Sequence, residues 1–165
     1  MKVRFISSNY VMEGFPSTEI EDQVVNYAIE KAQNLHIHKT LGTSLYGDII
    51  EKVSNSAITA ATDVTLMENY IQPCLRDYSI YELITLNSFK LSNAGLMKST
   101  NENFTSVDLS ELKHLKSEIR DSAEFFEERL KYYLCNNSAS FPAYNYGTQD
   151  IKQSGRGDSY FFGIS

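Results

Sequence analysis

The sequence predicts a mainly α-helical fold: an elongated helical bundle built on one long C-terminal helix, with a short N-terminal strand or hairpin and an extended C-terminal arm. Three observations carry this. Leu109, Leu112, Leu115, Ile119, Ala123, Phe126, Leu130, Tyr133 and Leu134 recur every three or four positions, which places them on one helical face over about 108–135. Shorter stripes of the same period precede it. The last thirty residues keep no period of either 3.6 or 2.

In chain order, Lys2-Val3-Arg4-Phe5-Ile6 alternates polar and apolar residues and reads as a short strand with Val3 and Phe5 on one face. Gly14-Phe15-Pro16 signals a turn, and Ser17 or Thr18 starts a helix whose first turn holds Glu19, Glu21 and Asp22, favoured there by the helix dipole. Ile20, Val24, Ala28 and Ala32 carry that helix to about residue 35. Leu35-His36-Ile37-His38 alternates again as a strand would, and Leu41-Gly42-Thr43-Ser44 supplies a turn and a new N-cap for a helix ending near 54. Another helix begins near Thr62-Asp63, and Pro73 within it predicts a kink or a break because proline has no N–H to donate. Residues 90–107 read as a hairpin or long loop. The long helix opens on Asp108 and Glu111, spaced as a capping box, and carries Glu127 and Lys131 as an i,i+4 pair. At 1.5 Å per residue it is roughly 42 Å long, about the full diameter of a compact chain of this size, roughly 40 Å.

This divides the chain into a helical domain, 1–135, and an arm, 136–165. The arm contains Phe141, Tyr144, Tyr146, Tyr160, Phe161 and Phe162 but few aliphatic residues. Ordering backbone costs on the order of 1–2 kcal/mol per residue, and burying an aromatic returns about 1.5–3 kcal/mol. Six aromatics do not offset thirty residues without another surface, so the arm either drapes over its own domain or orders on a partner, and on a partner these six are the expected binding anchors.

Composition narrows the function. A net charge of −6, with eight acids against five bases in 101–135, gives no basic face for phosphates, so no sequence-specific nucleic-acid binding is expected. No apolar run approaches the roughly 20 residues that cross a bilayer, and the residues after Lys2 and Arg4 do not form a signal-peptide core, so no membrane association is expected. Cys74 and Cys135 both fall in helical patterns and read as buried free thiols. His36 and His38 lack the further ligands a zinc site needs, and Arg156-Gly157-Asp158 reads as a solvated turn. There is no phosphate-cradling glycine loop, nucleophile elbow or His-Glu-x-x-His helix. No catalytic residue, cofactor or metal site is expected, and the chain reads as a protein-binding protein.

Ala32-Gln33 followed by Leu41-Gly42-Thr43-Ser44-Leu45-Tyr46 resembles the junction between the first helices of head-to-tail connector (adaptor) proteins of tailed bacteriophages. Tyr70-Ile71-Gln72-Pro73-Cys74-Leu75, Lys90-Leu91-Ser92-Asn93-Ala94-Gly95 and Leu130-Lys131-Tyr132-Tyr133-Leu134 follow in similar order, so that the likeness covers roughly 20–135. It is similar in particular to adaptor-like proteins of phages infecting gut Bacteroidales. The resemblance implies a virion structural protein, made in the host cytoplasm, that forms a homo-oligomeric, twelvefold ring at the portal. Its partners would be the portal protein and the downstream neck or tail protein, and DNA would only pass through the channel. The alternative is a cytoplasmic helical scaffold or regulator that binds a phage or host protein.

Overall fold

The fold is mainly helical, and the computed structural model describes residues 3–13, 20–92, 95–98 and 109–144. Residues 3–6 form no strand and the chain bends at Phe5 and Ile6, which corrects the expectation of one. A segment outside helix and sheet leaves backbone groups that must be paired, and here side-chain amides pair them. Gln33 Oε1 accepts from Phe5 N at 3.0 Å, Gln33 Nε2 donates to Val3 O at 3.1 Å, and Gln72 Nε2 donates to Phe5 O at 3.2 Å. Phe5 and Ile6 are thereby held in the core.

The short helix α1 (Ser8–Met12) is capped by Ser7, whose Oγ accepts from Tyr10 N at 3.2 Å. Arg76 donates to the Glu13 carbonyl and ties the end of α1 down. The next helix, α2 (Asp22–Ala32), starts later than expected: Glu21 is its extended N-cap, whereas Ser17 and Thr18 lie outside the described residues. It continues through a π-helical turn, Gln33–Ile37, into α3 (His38–Ser54). The expected strand at 35–38 is therefore helical. Its alternation of apolar and polar side chains arises because Leu35 is exposed while Ile37 enters the core.

Gly42 breaks the helical path inside α3 with φ 75° and ψ 160°, a region open essentially to glycine alone. A Cβ at Gly42 would meet nothing within 4 Å, so strain of the backbone is the whole penalty for alanine. Gly42→Ala is expected to destabilise by about 1–3 kcal/mol, read as a lower thermal unfolding midpoint. An unchanged midpoint would show that this residue does not need the conformation.

After α3 come α4 (Ala61–Leu66), a second π-helical turn, Met67–Ile71, and α5 (Gln72–Ser88). Pro73 does not break the chain into separate helices. The widened turn lies directly before it, where the ring crowds the preceding carbonyls, and Gln72 N–H donates to Met67 O to close the turn. An antiparallel hairpin follows, β1 (Phe89–Ser92) and β2 (Gly95–Lys98), with Phe89 opposite Lys98 and Ser92 opposite Gly95. The last helix, α6 (Leu109–Asn136), occupies nearly the span that periodicity indicates, although Asp108 lies outside the described residues.

α5 is the central helix. It packs on α2 to one side and on α6 to the other, which explains why its buried residues, Cys74, Leu75, Tyr78, Ser79, Ile80, Glu82 and Leu83, occupy more than one narrow stripe. Val25, Ala28, Ile29 and Ala32 of α2 and Ala123, Leu130 and Leu134 of α6 close the core from the two flanks.

Candidate assembly surface

α6 is buried on one side and carries aromatic residues on the other. Phe125 is 61% exposed and Tyr132 is 73% exposed, seven residues apart and so on one face of the helix. Between them the Arg129 guanidinium lies 5.9 Å from the Phe125 ring, and 5.7 Å from each of the Phe126 and Tyr70 rings. Arg129 thus spans from the exposed ring to rings that pack on the core. Behind it Tyr70 stacks on Tyr133 at 4.1 Å. Large aromatics and arginine are the residue types that dominate protein interfaces, and here a buried helix face holds them rigidly.

The seam between α5 and α6 is polar and tightly paired. The Tyr78 hydroxyl donates to Glu127 Oε2, and Lys131 Nζ reaches Glu127 Oε1 at 2.8 Å and Glu128 Oε1 at 2.9 Å. Burial works against the Glu127 charge, but the hydrogen bonds from Lys131 and Tyr78 outweigh it and hold the carboxyl below its ordinary value. Burial, then the bond to Glu127, pushes the Tyr78 phenol up. Lys131 loses something to burial, but its bonds to Glu127 and Glu128 raise it. His36, from the first π-helical turn, stacks flat on Tyr78 with centroids 3.8 Å apart. Its Nε2 faces Glu82 Oε1 at 3.6 Å, while Lys31 Nζ holds Glu82 Oε2 at 2.7 Å. Burial lowers the His36 pKa despite Glu82, favouring the neutral ring.

These groups border a cleft of about 450 Å³ together with Lys39, Tyr81, Arg120 and Glu124. Glu124, Glu127 and Glu128 pair with cations of α6 itself, Arg120 and Lys131, while the bonds from Tyr78 to Glu127 and from Ser122 to Asp77 join α5 to α6. The Cys74 thiol, pushed up chiefly by burial, is held in its protonated form.

The expected anchors divide. Phe141 is only 3% exposed and packs near Tyr133 at 6.1 Å, so it belongs to the core and is not free to anchor a partner. Tyr144 is half-buried against the same cluster, and its N–H donates to Phe141 O at 2.9 Å. The folded domain therefore runs at least to 144 and does not stop at 135, because the turns after α6 fold Phe141 back beneath it. Tyr146, Tyr160, Phe161 and Phe162 lie outside the described residues, as does Arg156-Gly157-Asp158.

Other sequence readings also move. His36 and His38 do not converge: His38 stacks on Tyr46 at 4.3 Å, and among the described residues no group of three or more metal-ligating side chains assembles. Cys74 is buried as expected, but Cys135 is exposed, three residues beyond Tyr132 on the outward side of α6. Phe125, Arg129 and Tyr132 were not singled out by sequence. The available signal was the two aromatics that fall outside the apolar stripe of α6, on the face otherwise filled with charge.

No helix of the described residues is long and apolar enough to cross a membrane. No curated protein and no solved structure matches the chain. The profile of DUF6712, a family of unknown function, matches residues 37–153, which is most of the sequence and includes α3 to α6, and the chain belongs to that family.

Proposed function

We propose that this protein is a virion structural component that forms a ring at the portal of a tailed phage, connecting head to tail and extending the DNA channel. One observation carries the reading beyond the motif order: the aromatic and arginine face of α6, Phe125, Arg129 and Tyr132, on a helix whose other side is locked into the core. A ring needs rigid subunits with a surface that meets a different surface on the next subunit. The paired seam at Tyr78, Glu127 and Lys131 supplies the rigidity, and the outer face of α6 supplies one contact surface. The bundle is elongated along α6, its twelve copies surround the channel, and the acidic balance of the chain lets DNA slide without adhering. The neighbours in the neck are the portal protein and the next neck or tail protein.

A stop codon in the gene of the encoding phage tests this. The expected lysate contains separate heads and tails by electron microscopy. Complete, infectious particles from the mutant would overturn the proposal and leave a scaffold or regulator that acts in the host cytoplasm.

A further inference from the structure

We infer that the aromatic face of α6 docks on a second copy of this chain, with Phe125 entering an apolar pocket between α3, α4 and the second π-helical turn of that copy. Arg129 then meets Glu68 at the pocket's mouth. The inference deepens the ring reading and rests on its premise that the outer face of α6 meets another subunit; what it adds is the surface met.

The pocket is a cavity of about 300 Å³ walled by Phe5, Val53, Ile58, Val64 and Met67. Ser56 and Glu68, both exposed, mark its mouth. The walls are fixed in place, because Phe5 and Met67 belong to the core and Gln72 Nε2 donates to Phe5 O at 3.2 Å. Cavities that take ligands run from about 300 to 1,000 Å³, so this one suits a single ring. Phe125 is the side chain that fits. It is 61% exposed, carries no polar atom, and is braced from behind by an edge contact to Phe126 at 5.6 Å. Tyr132, with its hydroxyl, suits the wet rim instead.

One chain cannot make this contact with itself. Tyr70 stacks on Tyr133 and so faces α6. Glu68 and Gln72, which line the pocket, stand two residues to either side of Tyr70, about half a helical turn away. The pocket therefore opens on the flank turned away from α6, and Phe125 meets it only on another copy. Ring and pocket are different surfaces, so the contact is heterologous and leaves one of each free for a further copy, the condition for a ring or a filament. Charge agrees with this pairing. Among the described residues neither Arg129 nor Glu68 has an ion-pair partner. Arg129 lies one turn, about 6 Å, along α6 from Phe125, so a Phe125 ring in the pocket brings the guanidinium to Glu68 at the mouth. Burial of the ring supplies the attraction, and the charge pair fixes the register.

Sedimentation velocity on the purified full-length protein, from micromolar to near-millimolar concentration, tests this with two variants at exposed positions, Phe125→Ser and Glu68→Arg. Wild type is expected to form species of increasing size as the concentration rises. Phe125→Ser should weaken that association at least about thirtyfold, and Glu68→Arg at least about tenfold. Thermal midpoints within a few degrees of wild type are the check on folding. An equal mixture of the two variants is the decisive sample, taken at a concentration where neither associates alone. The intact Phe125 of one meets the intact pocket of the other and the series of contacts ends there, so a one-to-one pair should form. Variants that associate as wild type does, or a mixture no larger than its components, would overturn the inference. A wild-type protein that stays monomeric would overturn it as well, and its presence in particles would still leave the ring reading standing. Head-to-tail pairing by a protein absent from particles would do the reverse.

Discussion

Gln33→Ala is expected to lower the stability of the fold by about 3 kcal/mol, since each buried polar group left without its partner costs about 1–3 kcal/mol. Gln33 is only 3% exposed, and its amide serves Phe5 N, Val3 O and the Tyr46 hydroxyl at 3.0, 3.1 and 3.1 Å. Removing it strips Phe5 N and Val3 O of the partners that substitute for a sheet, leaving only the bond from Gln72 to Phe5 O. Phe5 and Ile6 are then drawn out of the core they help to close. For a chain of this length, that loss corresponds to a midpoint lower by about 6–12 °C, measured by circular dichroism. Trypsin should also cleave after Arg4 much faster in the variant. A midpoint and cleavage rate equal to wild type would show that the segment is held by its apolar side chains alone.

Glu127→Ala is expected to cost about 1–3 kcal/mol, the penalty for leaving a half-buried polar group without its partner, since the i,i+4 pair with Lys131 is only partly buried. The substitution leaves the Tyr78 hydroxyl without an acceptor and Lys131 with only the exposed Glu128. Tyr78→Phe, which removes a donor but keeps the ring on His36, should cost only about 1 kcal/mol, and that contrast identifies the carboxylate as the centre of the seam. The acid dependence follows from the lowered carboxyl pKa. Above the ordinary carboxylate value the folded and unfolded states are both ionised, and the stabilisation is complete. As the pH falls below it, the unfolded state takes up the proton first, and the contribution is lost progressively until the folded carboxyl also titrates. Urea unfolding from pH 7 downward should therefore show a shallower acid loss in Glu127→Ala than in wild type. Parallel pH profiles would remove Glu127 from this role.

What the sequence reveals here is what local patterns control. α6 is visible because nine apolar residues keep one period while charge fills the remaining face, and the Glu127 to Lys131 pair follows from helical spacing alone. The π-helical turns are hidden because one extra residue per turn barely disturbs a short stripe. Leu35 to His38 alternates in sequence for a reason that only the packing of Ile37 explains. Residues 2–6 alternate as a strand would, yet the chain bends at Phe5 and Ile6, and its partners, the amides of Gln33 and Gln72, lie 28 and 67 residues from Phe5. Phe141 reads as an arm residue because the sequence after 135 keeps no period and few aliphatic residues, and only the tertiary fold brings it to Tyr133. The α6 face was legible in principle: Phe125 and Tyr132 break the binary pattern of their helix, and aromatics on a charged face need a surface to meet.

Quantitative peptide mass spectrometry on purified particles of the encoding phage, comparing this chain with the portal protein, tests the central claim most directly. The account predicts the chain in intact particles at a copy number close to that of the portal. Its absence from intact particles, or presence at a small fraction of the portal's number, would contradict the account.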